Sequence, residues 1–232
     1  MSVTIGVDLG QARDATALAV LRSYRCEPVP AARGRTRRPL HHDLVALERL
    51  PAGVPYPRQA ELIAAFADEF ADDTRPYLYV DATGVGRPVL DLLRQGCPHP
   101  VKGVTIGSGA IAAQSGADWS VPKADLIGVL DVALSSRRLH ILSAVGLAKE
   151  LEKELRAFSY EISATGRPKY EGRGAHDDLV LAVALAAWGS ERGAKGSEAA
   201  WAFQEMMAAV ISTRQETTYP EQYWQRRKRP RA

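Results

Sequence analysis

The sequence predicts an α/β fold with one mixed sheet, in which three antiparallel strands are followed by parallel strands, and with helices flanking the sheet. Two observations predict this fold. Three apolar runs of strand length precede the first helical pattern, and strand-like and helical segments alternate after it. Successive strands form antiparallel meanders, whereas strands that alternate with helices form parallel sheets. With 232 residues, 46% hydrophobic and 25% charged, the chain is long enough for one domain with a sizeable core.

The first three strands come from the N-terminal fifty residues. Residues 3–9 and 15–24 are apolar runs separated by the turn-like stretch "GQARD", and residues 42–51 form a third run. Residues 27–39, rich in proline and arginine, predict a long exposed excursion, so the second and third strands would pair as a wide antiparallel hairpin. Residues 57–71 begin with proline and carry apolar residues at helical spacing, which indicates the first helix.

Strands and helices alternate in the rest of the chain. In order, we predict a strand that ends at Asp81, a helix over 87–96, a strand over 101–106, a small-residue loop over 107–117, helices over 121–138 and 146–158, a hairpin over 159–172, and a final helix from His176. That final stretch, "HDDLVLAVALAAW", is apolar on every side, which is typical of a helix buried in a core. Residues 1–192 would therefore form the domain, and residues 193–232 a C-terminal helix with a basic tail.

Composition restricts the cellular setting. No apolar run is long enough to span a bilayer, and the first residues enter a strand pattern directly, so we expect a cytoplasmic protein without a membrane partner. The two cysteines, Cys26 and Cys97, lack the spacing of metal ligands, which favours a reducing compartment.

Positive charge is concentrated in two segments. Nine of the 30 Lys and Arg residues lie in residues 30–39 of the excursion and in residues 226–231, so 21 basic residues face 27 acidic ones in the rest of the chain. An acidic body with basic segments suits a pocket for metal ions whose rim contacts a polyanion. The alternative is that both segments are solvated and bind nothing.

Four carboxylates are candidates for a site. Asp8 and Asp81 each follow an apolar strand, and Asp177 and Asp178 stand where the final buried helix begins. If the two strands are parallel neighbours, their ends meet at one edge of the sheet, which the helix start can also reach. Charges are costly to bury without a compensating cation. Oxygen ligands suit Mg²⁺ or Mn²⁺, and a pair of such ions can hydrolyse a phosphodiester.

Each of these acids also has a purely structural interpretation. Asp8 could hold the turn that follows its strand, and Asp81 could cap the next helix. Asp177 and Asp178 could be the N-cap and first-turn acids that a helix dipole favours. The sequence alone leaves these alternatives open.

The element order matches the ribonuclease H-like topology, and four motifs carry a closer resemblance. In order, "GVDLGQARDATAL", "YVDATGVGRPVLDLL", "VPKADLIGVL" and "HDDLVLAVALAAW" resemble the motifs of the nuclease domain of the large terminase subunit of tailed bacteriophages, over residues 3–188. The resemblance implies a Mg²⁺- or Mn²⁺-dependent endonuclease that cuts double-stranded DNA during genome packaging. It implies that Asp8 and Asp81 are metal ligands, Asp178 the favoured third ligand and Asp177 a supporting one. Lys123 would contact phosphate or orient water.

The chain departs from that family in one respect. Large terminases carry an ATPase motor before the nuclease, and no G-x-x-x-x-G-K-[ST] stretch occurs in these residues. We therefore expect either a stand-alone nuclease or one that works with a separate packaging ATPase, a small terminase subunit or a portal. Three other functions remain open: a nuclease like the Holliday-junction resolvases, an ATPase of the actin or sugar-kinase type, and a non-catalytic DNA-binding or assembly module.

Overall fold

The computed structural model describes residues 1–10, 14–30, 36–71, 74–84, 86–109, 111–162, 168–172 and 177–193. The strands are β1 (Ser2–Asp8), β2 (Thr16–Arg25), β3 (Val29–Pro30), β4 (Thr36–Arg37), β5 (Leu40–Leu50), β6 (Tyr77–Asp81), β7 (Val101–Gly107), β8 (Ala113–Ser115), β9 (Asp118–Pro122), β10 (Leu139–Ile141), β11 (Phe158–Ile162) and β12 (Pro168–Gly172). The helices are α1 (Tyr56–Asp68), α2 (Gly86–Gly96), α3 (Lys123–Ser135), α4 (Ala148–Ala157) and α5 (Asp178–Gly193). The chain divides into two compact units, Met1–Glu191 and Arg192–Ala232.

A mixed sheet organises the first unit. Its strand order is β10-β5-β2-β1-β6-β7-β9-β8, which places β1 in the interior of the sheet. β2 pairs antiparallel with both β1 and β5, whereas β6, β7 and β9 continue from β1 in parallel. The predicted fold class, three antiparallel strands followed by parallel ones with helices on the faces, is confirmed.

Alternation along β1 divides its side chains between two faces of the sheet. Val3, Ile5 and Val7 point to one face and are buried with residues of α1 and α2, among them Ile63 and Leu90. Side chains of a strand alternate between faces, so Gly6 and Asp8 belong to the opposite face. Apolar burial on the α1–α2 side therefore leaves Asp8 facing the other layer.

That other layer is α5, which lies unusually close to the sheet. A Cβ built on Gly6 would stand 2.0 Å from the carbonyl oxygen of Ala182, and one built on Gly189 would stand 2.3 Å from the Tyr79 ring. Gly6 and Tyr79 are register partners in β1 and β6, so both contacts fall on the same face. Residues 179–188 are almost entirely inaccessible to solvent, which fits a helix that is apolar on every side.

Polar contacts fix the last turns of α5 to β2, β5 and β10. The hydroxyl of Ser23 lies 2.8 Å from His42 Nδ1 and donates to the hydroxyl of Ser190 at 3.1 Å. Arg138 Nη1 donates to Glu191 Oε1 at 2.6 Å. Burial alone would raise the pKa of Glu191, but hydrogen bonds from His42 and the charge of Arg138 hold that pKa below its ordinary value. The helix is thus anchored at the end opposite to its acidic start.

Two predicted segments differ from the structure. The loop expected over 107–117 contains the short strand β8. The next strand, β9, takes in residues 121 and 122, which were expected to start a helix, so α3 begins at Lys123 rather than at residue 121. Trp119 and Val121 are buried while Ser120 is exposed, a two-residue period too short to stand out in the sequence. The three-residue edge strand β10 was also missed, since Leu139 is its only buried residue.

Several predicted segments include residues outside the ranges that the structure describes. The hairpin over 159–172 is present as β11 and β12, but residues 163–167 at its turn lie outside the described ranges, as does His176. The predicted C-terminal helix and basic tail fall almost wholly on residues 194–232, which also lie outside them. Within the described residues, no helix is both long enough and apolar enough to cross a membrane.

We expect Gly6→Ala to destabilise the fold by about 1–3 kcal/mol, because overpacking forces neighbouring backbone apart. The new Cβ would meet backbone atoms of α5, which cannot rotate out of the way as a side chain can. Chemical denaturation measures the change. Gly96→Ala is the matched control, since nothing lies within 4 Å of a Cβ at that position. Equal stability of the two variants would contradict the close approach of α5 to β1.

Candidate metal centre

Asp8 and Asp81 end neighbouring parallel strands at the same level. Val7 of β1 pairs with Val80 of β6, and each aspartate is the next residue of its strand. The two side chains therefore leave the same face of the sheet at its carboxyl edge. Asp81 Oδ1 accepts a hydrogen bond from the backbone N–H of Thr83 at 2.8 Å, which fixes the turn after β6. The predicted meeting of these two carboxylates is present in the structure.

The N-terminus of α5 reaches the same edge. Ala182 lies against Gly6, and Asp178 precedes Ala182 by four residues, or about 6 Å of helix. Asp8 follows Gly6 by two strand residues, or about 7 Å. The two distances match, so Asp178 comes level with Asp8 when α5 runs opposite to β1. The electrostatic coupling of Asp178 to Asp8 agrees with this direction.

Burial is the main cause of the raised pKa values in the cluster, and for Asp8 repulsion by the neighbouring carboxylates adds to it. The pKa of Asp8 lies well above its ordinary value, first because of burial and then because of the negative charges of Asp81, Asp178 and Asp177. The pKa of Asp81 is also raised by burial, against the opposing effects of its hydrogen bonds with Thr83 and the charge of Lys123. Such coupling requires that the four acids lie close together.

Lys123 supplies one compensating charge. It is the first residue of α3, directly after Pro122, and its Nζ donates to Asp177 Oδ2 at 3.1 Å. Its positive charge also offsets part of the rise in the pKa of Asp8 and of Asp81. All five residues singled out in the sequence, Asp8, Asp81, Asp177, Asp178 and Lys123, are therefore neighbours in space.

Sequence reasoning missed two members of the cluster, Arg49 and Glu154. Arg49 of β5 pairs with Ala17 of β2, which in turn pairs with Asp8, so Arg49 and Asp8 share a row and a face of the sheet. Arg49 Nη2 lies 3.8 Å from Asp178 Oδ2 and forms a closer ion pair with Glu154 of α4. Register across three strands cannot be read locally in a sequence, so no signal marked Arg49. Glu154 did have one: it is an acid three residues after the buried Leu151 on an amphipathic helix.

The hydrogen bonds of Glu154 show whether Asp177 and Asp178 merely cap α5. The carbonyl of Asp177 accepts from Leu181 N–H at 2.9 Å, which makes Asp177 the N-cap residue. Its side chain pairs with Lys123, while Glu154 Oε2 accepts from the N–H groups of Leu179 and Val180 at 3.0 and 3.3 Å. These are the amides that an N-cap side chain normally satisfies. The capping is thus done by α4, and the carboxylate of Asp177 is directed elsewhere.

Hydrogen bonds at the two strand ends bear on the other two structural alternatives. Beyond Asp8, the described residues Gly10 and Thr16 are joined by a hydrogen bond that Gly10 N–H donates to Thr16 Oγ1 at 3.0 Å. Asp81 Oδ1 accepts from Thr83 N–H, which lies in the turn before α2 begins at Gly86, whereas the alternative expected Asp81 to cap that helix. A carboxylate has two oxygens, so the bond to Thr83 N–H occupies only one of them.

The donor set suits a hard divalent cation. Asp8, Asp81 and Asp178 offer only carboxylate oxygens, which Mg²⁺ and Mn²⁺ prefer, and a cation among them would relieve the repulsion that raises the pKa of Asp8. Among the described residues, no three His, Cys, Asp or Glu side chains already have the spacing of a complete ligand set. Asp177 is paired with Lys123 and Asp178 with Arg49. The pair of Arg49 with Asp178, at 3.8 Å, is longer than its pair with Glu154, so Asp178 is the less firmly engaged of the two acids.

Known structures resemble this chain in fold. The crystal structure of the large terminase nuclease from thermophilic phage G20c with bound magnesium matches with a TM-score of 0.53 and 24% sequence identity, over 80% of each chain. The structure of that nuclease with bound cobalt gives the same values. A further crystal structure of it gives a TM-score of 0.51 and 22% identity, again over 80% of each chain. No protein-family model and no curated protein matches the sequence.

At this level of sequence identity, the structural similarity shows which fold the chain has. In the observed sheet, an antiparallel β5–β2–β1 half joins a parallel β1–β6–β7–β9 half, with helices on both faces. This is the ribonuclease H-like arrangement that the element order predicted. The chain has the ribonuclease H-like fold of the nuclease domain of large terminase subunits.

Proposed function

We propose that this chain is a metal-dependent endonuclease that hydrolyses phosphodiester bonds of DNA by a two-metal mechanism. The observation that carries the proposal is the cluster of Asp8, Asp81, Asp177 and Asp178, in which burial and then the charges of the other three acids raise the pKa of Asp8. A protein gains nothing in stability from buried acids that repel one another, and such perturbed groups concentrate at functional sites. The structural relatives, solved with bound magnesium or cobalt, support divalent cations as the compensating charge.

The carboxylates divide into central and supporting ligands. Asp8 and Asp81 lie on adjacent strands whose positions the sheet fixes, so they would hold a cation between them. Asp178, level with Asp8, is the favoured third ligand, and Asp177 supports the site through its bond to Lys123. When bound, Mg²⁺ or Mn²⁺ supplies Lewis-acid chemistry: activation of a water nucleophile and neutralisation of charge on the leaving oxygen.

Lys123 would act on the substrate rather than on the metal. Its ammonium is near Asp8, Asp81 and Asp177 and forms an ion pair with Asp177, and it would exchange Asp177 for a phosphate oxygen when DNA binds. Contact with that oxygen would hold the scissile phosphate against the carboxylates and stabilise the charge that develops on it. Lys123 can alternatively orient the attacking water from the same position.

Double-stranded DNA is the substrate that fits the similarity to terminase nucleases. The basic segment at 33–38 and the basic residues at 226–231 would contact phosphates without reading base sequence. Cutting of concatemeric DNA during packaging, in the cytoplasm of a host cell, would also need a packaging ATPase. That motor, a small terminase subunit and a portal are therefore the proposed partners.

Asp81→Asn should lower Mn²⁺- or Mg²⁺-dependent plasmid cutting by at least about 100-fold. Removing a residue that merely supports a metal ligand commonly lowers activity by about 10–100-fold, and removing the ligand itself should lower it more. Asparagine keeps the oxygen that accepts from Thr83 N–H, so the turn after β6 is preserved. Gel-based cutting assays measure the loss, and DNA affinity should stay unchanged. Asp91→Asn, at an exposed position of α2, is the control and should cut normally. Normal cutting by Asp81→Asn would remove Asp81 from the site.

Asp8→Asn should stabilise the metal-free protein at alkaline pH. The pKa of Asp8 is raised in the fold, so ionisation costs stability as pH rises from the ordinary value of about 3.9 through the folded value. Thermal melting in EDTA at pH 8 should show a higher midpoint for Asp8→Asn, by about 2–4 °C for each kcal/mol relieved. The gain should shrink at pH 4, and added Mn²⁺ should stabilise only the wild type. A lower midpoint for Asp8→Asn at pH 8 would show that the carboxylate is satisfied without metal.

Deleting residues 226–232 should weaken DNA binding in a salt-dependent manner. The segment carries five basic residues, and each phosphate contact contributes roughly 0.9 to the slope of log affinity against log salt concentration. The slope should therefore become shallower by up to about 4–5, measured by fluorescence anisotropy across a salt series. An unchanged slope would mean that these residues do not touch DNA.

A further inference from the structure

The pair formed by Arg49 and Glu154 has an arrangement that simple helix capping does not require. Glu154 Oε2 accepts from two amides at the start of α5, while Glu154 Oε1 forms the ion pair with Arg49 Nη2. Arg49 also lies 3.8 Å from Asp178 Oδ2. One cation thus stands between two carboxylates, held more closely by Glu154 than by Asp178.

The balance between these two carboxylates decides how readily Asp178 can bind another cation. Glu154 is 9% exposed and Asp178 14%, so both interactions with Arg49 are only weakly screened by solvent. If Arg49 turned fully to Asp178, it would compete directly with a divalent cation for the same oxygens. Glu154 prevents that by giving Arg49 a better-placed partner, and it fixes the position of the helix turn that carries Asp178.

We infer that Glu154 and Arg49 are positioning residues that determine how available Asp178 is to a divalent cation. Glu154 holds Arg49 in an ion pair and anchors the start of α5, and Arg49 partly neutralises the negative charge of Glu154 and Asp178. The inference rests on the proposed function, because it concerns the metal affinity of the same carboxylates. Partners of metal ligands commonly change metal affinity by about 10–100-fold when they are altered.

The variant Glu154→Gln distinguishes the two roles of Glu154, which are the ion pair with Arg49 and the capping of α5. Glutamine keeps an oxygen that can accept from Leu179 and Val180 N–H, but it no longer attracts Arg49, which is then free to pair with Asp178. Isothermal titration with Mn²⁺ should show binding weakened by about 10-fold or more, and the Mn²⁺ concentration for half-maximal plasmid cutting should rise in parallel. Cutting at saturating Mn²⁺ should change much less.

The double variant Glu154→Gln/Arg49→Met tests the cause of that loss. Without Arg49 its guanidinium can no longer compete for Asp178, so Mn²⁺ binding should recover most of what Glu154→Gln lost. If Glu154 acted only as a cap, the second substitution would restore nothing. Glu152→Gln is the matched control: it removes an acid from the same helix and also breaks a pair with an arginine, Arg156, but at an exposed site. It should bind Mn²⁺ as the wild type does.

Arg49→Met alone keeps the test decisive even if Glu154→Gln fails to fold. It leaves the cap of α5 intact and removes only the competing cation, so it should bind Mn²⁺ more tightly than the wild type. Binding as tight as, or weaker than, that of the wild type would overturn the inference, as would unchanged binding by a folded Glu154→Gln. If the wild type neither binds Mn²⁺ nor cuts DNA, the proposed function itself fails, which is a distinguishable result.

Discussion

The close approach of α5 to β1 at Gly6 determines where the acidic start of that helix lies. A side chain at position 6 would meet backbone atoms of Ala182 and Ala186, so the helix and the strand are spaced for glycine. At this spacing, Asp178, four positions before Ala182, comes level with Asp8, two positions after Gly6. Apolar burial along 179–188 and the polar anchor at Ser190 and Glu191 then hold the helix in that position. Packing energy from the core is what holds mutually repelling carboxylates together.

The cost of that repulsion is reduced by cations that come from distant parts of the chain. Lys123 is placed by the start of α3, and Arg49 by the register of β5 against β2 and β1. The pKa of Asp8 nevertheless remains well above its ordinary value, because burial and the neighbouring acids outweigh the effect of Lys123. Under the proposed function, binding of a divalent cation would offset this repulsion, so that metal binding and folding stability would be linked.

Much of this arrangement could be predicted from the sequence, for identifiable physical reasons. The meander, the alternating half and the buried final helix carry strong hydrophobic patterns, and Asp8, Asp81, Asp177, Asp178 and Lys123 stand directly at the ends of those elements. The edge strands β8 and β10 were missed because they bury too few residues to produce a pattern, and β9 because its two-residue period extends over only five residues. Arg49 could not be predicted at all, since its place in the cluster depends on the register of three strands that no local pattern encodes.

Glu154 shows why the function of an acid at a helix start cannot be judged from its position alone. An aspartate at an N-cap normally uses its carboxylate on the amides of the first turn, and that interpretation of Asp177 was reasonable from sequence. In the structure, a residue from α4 takes those amides, so the local acids are released for interactions across the sheet edge. A helix whose N-terminal amides are satisfied from outside can present its own first-turn carboxylates to a cation without losing its cap. Capping from α4 is therefore what leaves the carboxylate of Asp177 to pair with Lys123 at the start of a buried helix.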